Sequence, residues 1–401
     1  MQLVEQHVIR KGDSRYEAID QAAFASKNLY NAANYEIRQA FIKEGVYLNY
    51  HEMHRRMKSH DAYKALPAKV SQQVLRTLDK NWQSFFKAIA QWREHPEKFS
   101  GRPSLPRYKD KQKGRNLLVY TIQALSKPAL RQGCIQPSGL PIRIKTAHQN
   151  VDQVRIIPRH GFYVVEVVSS REPVQADVNP TLYAGIDIGV DNLATLTSNK
   201  KGFVPHIVNG RPVKSINQFY NKRKAELDEK LMKMDARRRC SHRLERLATT
   251  RTRRINHYLH TASRRMVNLL VEEGIGTLVI GKNPNWKQEV NMGKRNNQQF
   301  VAIPHARFIQ MLAYKGELVG IGVIITEESY TSKCSFLDHE PIGKHETYAG
   351  QRLKRGLFRA ADGRLLNADV NGSANIIRKV APNAFADGVE GVVVRPVRLR
   401  A

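Results

Sequence analysis

Ala184-Gly-Ile-Asp-Ile-Gly-Val-Asp191 and Leu366-Asn-Ala-Asp-Val-Asn-Gly-Ser373 are the stretches that decide how this chain is read. In the first, a short apolar run leads into Gly-Ile-Asp-Ile-Gly. That pattern projects Asp187 from the end of a buried strand, while the glycines leave room for a phosphate backbone to approach. In the second, Asp369 follows a turn-like run. Two such carboxylates in a strongly basic chain point to a divalent-metal nuclease centre. Magnesium suits it: the ion is hard, prefers carboxylate and phosphate oxygens, and in pairs clamps the attacking and leaving oxygens of an in-line phosphoryl displacement. Taken alone, either Asp is equally well a turn former or a helix N-cap. The charge of the whole chain favours the metal.

The 401 residues carry 66 Lys and Arg against 36 Asp and Glu, a formal charge of +30 and a pI near 10.1. So much self-repulsion is usually met by a polyanion, and each phosphate neutralised releases condensed counterions, so nucleic acid is the expected partner and binding should depend on salt. No apolar run approaches bilayer length, and Met1-Gln-Leu-Val-Glu5 lacks a basic-then-apolar signal pattern, so a soluble intracellular protein without a membrane partner is expected. Three cysteines, Cys134, Cys240 and Cys334, make no disulfide framework.

Leu3 to Ile9 can form one strand. Ile19, Ala22, Ala23, Leu29, Tyr30, Ala33, Ile37 and Phe41 recur at threes and fours, predicting a helix over 16–44. A second helix is predicted over 68–93, with Val70, Val74, Leu78, Trp82, Phe85, Phe86 and Ile89 on one stripe that suits core packing better than base stacking. From Leu117 to Ser170 short strands alternate with glycine and proline, predicting a small sheet or barrel. The segment before it, with Arg102, Arg107, Tyr108 and Arg115, combines cations with an aromatic ring and suits phosphate contact plus stacking; a solvated loop explains it as well.

Beyond Leu182, strands are predicted at 184–189, 193–198, 278–281 and 323–326. Between them a long helical stretch, about 213–273, includes Arg237, Arg238, Arg239, Arg243, Arg251 and Arg254 with few acids to balance them, which favours contact with a nucleic-acid duplex.

At this point the sequence resembles the TnpB (OrfB) family of transposon-encoded proteins, compact relatives of type V CRISPR effectors. Gly185-Ile-Asp-Ile-Gly-Val-Asp-Asn-Leu-Ala-Thr is similar to the family's first RuvC motif, and Asn367-Ala-Asp-Val-Asn-Gly-Ser-Ala-Asn-Ile to its third. Arg254-Ile-Asn-His-Tyr-Leu-His-Thr-Ala-Ser resembles the helix before the second motif, and Tyr330-Thr-Ser-Lys-Cys-Ser the run into the family's zinc ribbon.

The resemblance implies an α/β protein with accessory modules: an RNase H-like (RuvC) nuclease domain, an N-terminal helical recognition module and a small β-barrel wedge. Residues 1–10 would be the first wedge strand, 11–100 the recognition module and 101–178 the wedge. Residues 179–330 would be the nuclease with its Arg-rich insertion, 331–366 a degenerate ribbon, and 367–401 the third motif and tail. The implied activity is RNA-guided cleavage of double-stranded DNA beside a short flanking motif, by two-magnesium hydrolysis at one site, with manganese able to substitute. The implied partners are a guide RNA from the transposon end and target DNA, in a bacterial cytoplasm near the nucleoid. Base pairing would read sequence and protein would read backbone and shape. A nuclease-inactive guided repressor or regulator of transposition is the alternative, and a conventional transposase a further one.

This chain departs from the family at two places. Where the second motif commonly has Glu, Lys282 follows Leu278-Val-Ile-Gly281. Glu327 and Glu328, after the next predicted strand, are the candidates for a relocated ligand; neighbouring residues face opposite ways, so one of the two is expected to join Asp187 and Asp369. The ribbon has also lost its paired Cys-x-x-Cys knuckles, leaving Cys334-Ser-Phe-Leu and Phe358-Arg-Ala-Ala-Asp-Gly. One thiolate does not make a zinc site, so the outline is expected to persist through packing of Phe336, Leu337, Leu353, Leu357 and Phe358.

Overall fold

The computed structural model describes residues 1–234, 241–283, 293, 298, 300–386 and 395–400. The chain forms two compact units, Met1–Arg171 and Glu172–Ala401.

In the first unit, β1 (Gln2–Arg10) is followed by helix α1 (Tyr16–Glu44), two short helices (Tyr50–Met57 and Asp61–Lys64) and α2 (Ala68–Glu94). Gly45, in the left-handed region at φ 70°, ends α1, and its amide caps the last carbonyls. The α2 stripe faces inward. Trp82 is fully buried, donates its indole N–H to Asn34 Oδ1 at 3.0 Å and meets Phe41 edge-on. Strands β2 (Leu118–Thr121), β3 (Val151–Arg159) and β4 (Phe162–Ser170) join β1 in an antiparallel sheet of order β1-β4-β3-β2. The expected barrel is an open sheet among the described residues. Closure would need β1 to bond β2, and β2 offers four residues against nine in β1.

The basic segment before β2 is strapped along α1. Lys27 Nζ donates to Lys111 O (2.7 Å), Asn31 exchanges two hydrogen bonds with Lys109 (2.9 Å each), and Asn34 and Arg38 both donate to Pro106 O (3.0 Å).

The second unit is built on a six-stranded sheet. Its strands are β5 (Asn179–Asp187), β6 (Asn192–Ser198), β7 (His206–Asn209), β8 (Ile275–Gly281), β9 (Gly322–Thr326) and β13 (Val397–Leu399), in the order β9-β8-β5-β6-β7-β13. β9, β8 and β5 run parallel, β5-β6-β7 antiparallel, and β13 parallel to β7.

The region expected as one helical stretch is two helices packed on each other, α3 (Arg211–Met234) and α4 (His242–Glu272). Ser241 caps the second by accepting from Leu244 N, which starts a new helix there. Helices α4 and α5 (His305–Glu317) cover the face carrying Ala184, Ile186, Leu278 and Ile280.

Three short strands, β10 (Gln351–Lys354), β11 (Leu357–Arg359) and β12 (Leu365–Leu366), then form a small antiparallel sheet before α6 (Ala368–Val380), which packs on β5, β6 and β8. Among the described residues no helix is long and apolar enough to cross a membrane.

Candidate acidic site on the parallel strand ends

Parallel strands place their last residues side by side. Ile186 on β5 pairs with Ile280 on β8, and Gly281 with Thr326 on β9, so Asp187 and the residues after Thr326 emerge at one edge of the sheet. Side chains alternate along β5. Ala184 and Ile186 belong to the α4–α5 core, so Gly185 and Asp187 face α6. Helix α6 lies close there because Gly185 has no Cβ: one would sit 2.3 Å from Ser373 O. Ser373 Oγ donates instead to Gly185 O at 2.7 Å.

Asp369 lies in the first turn of α6. Asn367 caps that turn by accepting from the amides of Asp369 and Val370, and the helix N-terminus favours negative charge at this position. The Asp369 carboxylate accepts from Asn192 Nδ2 at 2.6 Å and stands 3.7 Å from Arg352 Nη2. A Cβ on Gly372, one turn along α6, would lie 3.1 Å from Asp187 Oδ2, so α6 brings Asp369 up to Asp187.

Glu327 and Glu328 part company. The Glu327 side chain is 55 % exposed, with Lys379 Nζ at 4.0 Å. Glu328 is recessed. Its Oε2 is buried without a hydrogen-bond partner, and a Cβ on Gly281 would come within 2.9 Å of that oxygen, so glycine at the end of β8 makes room for this carboxylate. Asn283 holds it from the next turn of chain, donating from Nδ2 to Glu328 Oε1 (3.2 Å) and accepting from Glu328 N at Oδ1 (3.1 Å).

Charge couples the carboxylates. Burial, then the negative charges of Asp369 and Glu328, push Asp187 up to about 8, with Arg352 pulling the other way. Burial pushes Glu328 up to about 7 against the opposing pull of Lys379. Among the described residues no three His, Cys, Asp or Glu side chains stand close enough together to form a ready-made metal site. Anions that share a pocket without a cation repel one another. The donor set nevertheless fits a hard divalent cation: oxygen ligands only, one oxygen buried and unpartnered, with Asp187 and Glu328 both disfavoured as anions until positive charge arrives. Asp187, Glu328 and Asp369 are the residues that would hold it.

Several residues at this edge have a role that the linear pattern does not show. Asn283, outside the acidic runs, and Asn192, within the first motif, orient carboxylates. Asn283→Ala is expected to slow any reaction at this site by about 10- to 100-fold, the scale for residues that orient metal ligands; single-turnover rates, with an unchanged melting temperature as control, check it. At the mouth, Arg352 lies near Asp369, and Arg355 pairs with Asp191, whose carboxyl Lys214 (2.5 Å) and then Arg355 hold below its ordinary range. Arg352-Leu-Lys-Arg355-Gly is a visible basic cluster, but only the fold turns it toward Asp187.

The basic residues singled out from the sequence divide into exposed and structural sets. Arg102, Arg107, Arg243 and Arg254 are exposed, and Tyr108 is 45 % exposed with the Arg38 guanidinium over its ring. Arg115 is bound to Asp20 by two hydrogen bonds (2.6 and 3.0 Å), and Arg251 to Asn217 Oδ1 (2.7 Å) and Ala302 O (3.0 Å), so these two brace the fold. Arg237, Arg238 and Arg239 lie outside the described residues.

Fold and site together define an α/β protein with an acidic centre at the carboxyl ends of parallel strands. The sequence pattern of the OrfB_IS605 family, described as "Probable transposase", matches residues 162–287, and that of the "Cas12f1-like, TNB domain" matches 305–376. The chain is 24 % identical over 415 aligned residues to the TnpB-like protein ORF457 of Acidianus two-tailed virus, covering 93 % of this chain and 83 % of that protein. Among solved structures it is similar to the cryo-EM structure of the Cas12f1–sgRNA–target DNA complex, with a TM-score of 0.55 at 13 % identity over 90 % of this chain and 82 % of that one, a likeness of fold. The chain is thus similar to the TnpB (OrfB) family through two family patterns and a relative aligned over nearly its whole length.

Proposed function

We propose that this protein is an RNA-guided DNA endonuclease encoded by an insertion sequence, cutting double-stranded DNA at a single RuvC site. The observation that carries the reading is the gathering of Asp187, Glu328 and Asp369, three side chains distant in the sequence, at the ends of β5 and β9 and the start of α6. The strand order β9-β8-β5-β6-β7, with β5-β6-β7 antiparallel and the rest parallel, is that of an RNase H-like sheet and supports the same reading. Two magnesium ions, or manganese, held by Asp187, Glu328 and Asp369 would stabilise the attacking and leaving oxygens of a phosphodiester.

The chain's own groups divide the remaining work. Gly281 leaves room for the Glu328 carboxylate, Gly185 lets α6 lie against β5, and Asn192 and Asn283 orient two of the carboxylates. Arg352 and Arg355 put positive charge where a phosphate backbone would enter. The formal charge of +30 suits a guide RNA and a target duplex, the partners present in the Cas12f1 complex.

Protein purified with its co-expressed RNA and offered plasmids with a matching target and randomised flanking sequence should make a magnesium-dependent double-strand break. Asp187→Ala should bind the same plasmids and cut none. Lys282, where the family commonly has Glu, supports the second reading, a nuclease-inactive guided regulator. Tight binding without cleavage across the whole flank library would establish that reading in place of the first.

A further inference from the structure

The family's ribbon is ordinarily closed by zinc between two cysteine knuckles, and this chain keeps one cysteine in that region. Cys334 is fully buried, and its Sγ donates to Gly343 O at 3.6 Å. Burial pushes its thiol up, away from the thiolate that a metal needs. Of the two imidazoles that follow in sequence, His339 is exposed and His345 spends Nε2 on Pro341 O at 2.7 Å.

Carboxylates tie the turns of this region together. Glu340 is buried, and its two oxygens accept from separate backbone amides: Ser335 N at 2.6 Å and Ala349 N at 2.9 Å. Its own amide donates to Ser335 O at 3.2 Å, and Arg378 donates to its carbonyl at 3.1 Å. Asp338 Oδ2 accepts from Ala361 N at 2.8 Å, which ties the first turn to the second, Phe358-Arg-Ala-Ala-Asp-Gly. From below, α6 grips the same turn: Asn371 and Asn375 donate to Cys334 O at 2.9 and 2.7 Å, and Phe336 N donates to Asn371 Oδ1 at 2.9 Å. Phe336, Leu337, Phe358 and Leu366 fill the space between.

We infer that segment 331–366 is a metal-free ribbon in which Glu340, with Asp338 as a second tie, takes over the closing role of zinc. Carboxylate-to-amide bonds are charge-assisted, and a buried acceptor that serves two strands of a loop cross-links them much as a shared ligand would. The clasp also sets the hairpin β10–β11, so Glu340 is a positioning residue for Arg352 and Arg355 at the mouth of the acidic site.

The test uses full-length protein expressed with excess zinc, and its readouts are independent of cutting. Elemental analysis should find far less than one zinc per chain, and a strong zinc chelator should leave amide exchange in 331–366 unchanged. Glu340→Ala should speed exchange at Ser335 and Ala349 by about 10- to 100-fold, the scale of a lost hydrogen bond to a charged group, while Cys334→Ser changes neither. Should Glu340→Ala fail to fold, Asp338→Asn reads the same clasp through faster exchange at Ala361 alone. One zinc per chain, together with exchange accelerated by chelator and by Cys334→Ser, would overturn the inference.

Discussion

Glu328→Gln is expected to slow target cleavage by about 10³-fold or more, as for a member of a catalytic unit, while Glu327→Gln stays within about fivefold, the scale of an exposed ion pair. The two residues are adjacent and chemically identical, so the contrast rests on placement alone. Glu327 follows the last residue of β9, stands in solvent and has Lys379 for company. Glu328 turns inward over Gly281 and is fastened by Asn283, with one oxygen left unpartnered. Single-turnover cleavage by the RNA-loaded protein measures the effect on rate. Manganese binding followed by electron paramagnetic resonance measures ligation separately: Glu328→Gln should lose a bound ion and Glu327→Gln should not. The reverse pattern would make Glu327 the ligand. Equal indifference of both variants would leave the site without a third carboxylate.

The second large effect is on stability. Asp187 lies near 8 and Glu328 near 7 in the fold, whereas in an unfolded chain carboxyls titrate near 4. Both shifts are upward. Their contribution to stability is therefore full below about pH 4 and is lost as pH rises through about 7 to 8, because the folded state then holds ionised carboxylates that repel each other out of water. Without divalent metal, wild type should lose about 5 °C or more in Tm relative to Asp187→Asn between pH 5.5 and pH 8.5. The comparison with the variant cancels the 14 histidines, which titrate in part of the same window. Magnesium should reverse the loss at pH 8.5, have less effect at pH 5.5 where protons occupy the site, and leave Asp187→Asn unmoved. Scanning calorimetry decides it. A wild type whose Tm tracks the variant's at every pH, with or without magnesium, would show that these carboxylates do not share a pocket.

Instability of this kind is what a binding site for cations costs a protein until the cation arrives, and the surrounding structure must supply it. Here the supply is visible. α6 is anchored to the sheet by Ser373, which bonds Gly185 O and Thr197, and the opposite face is packed by α4 and α5. His305 at the start of α5 sets the loop after β5 through its ring nitrogen, 3.1 Å from Gly189 O.

How much of this was legible depended on the range of the interaction. Helix α1, helix α2 and the four strands 184–189, 193–198, 278–281 and 323–326 show in periodicity because local burial imposes a period on local residues. β7 and β13 did not show. Each has only three or four residues, and β13 joins the sheet through pairing with a strand nearly two hundred positions earlier. The expectation of one continuous helix across 213–273 missed the break because polar residues continue through it and the capping Ser241 is a single residue. Arg115 and Arg251 looked like phosphate ligands because charge is legible in a sequence, whereas the Asp20 and Asn217 that bind them are 95 and 34 positions away.

By itself the sequence determined the two acidic runs, the excess of positive charge, the loss of the zinc knuckles and a lysine where a glutamate commonly stands. Each of these is a property of composition or of a few neighbouring residues. The tertiary structure decided which glutamate turns inward, which asparagines hold the carboxylates, which arginines face the site and what closes the ribbon. Those outcomes follow from parallel strands ending side by side and a helix laid across them, which brings Asp187 and Asp369, 182 positions apart, into one electrostatic field.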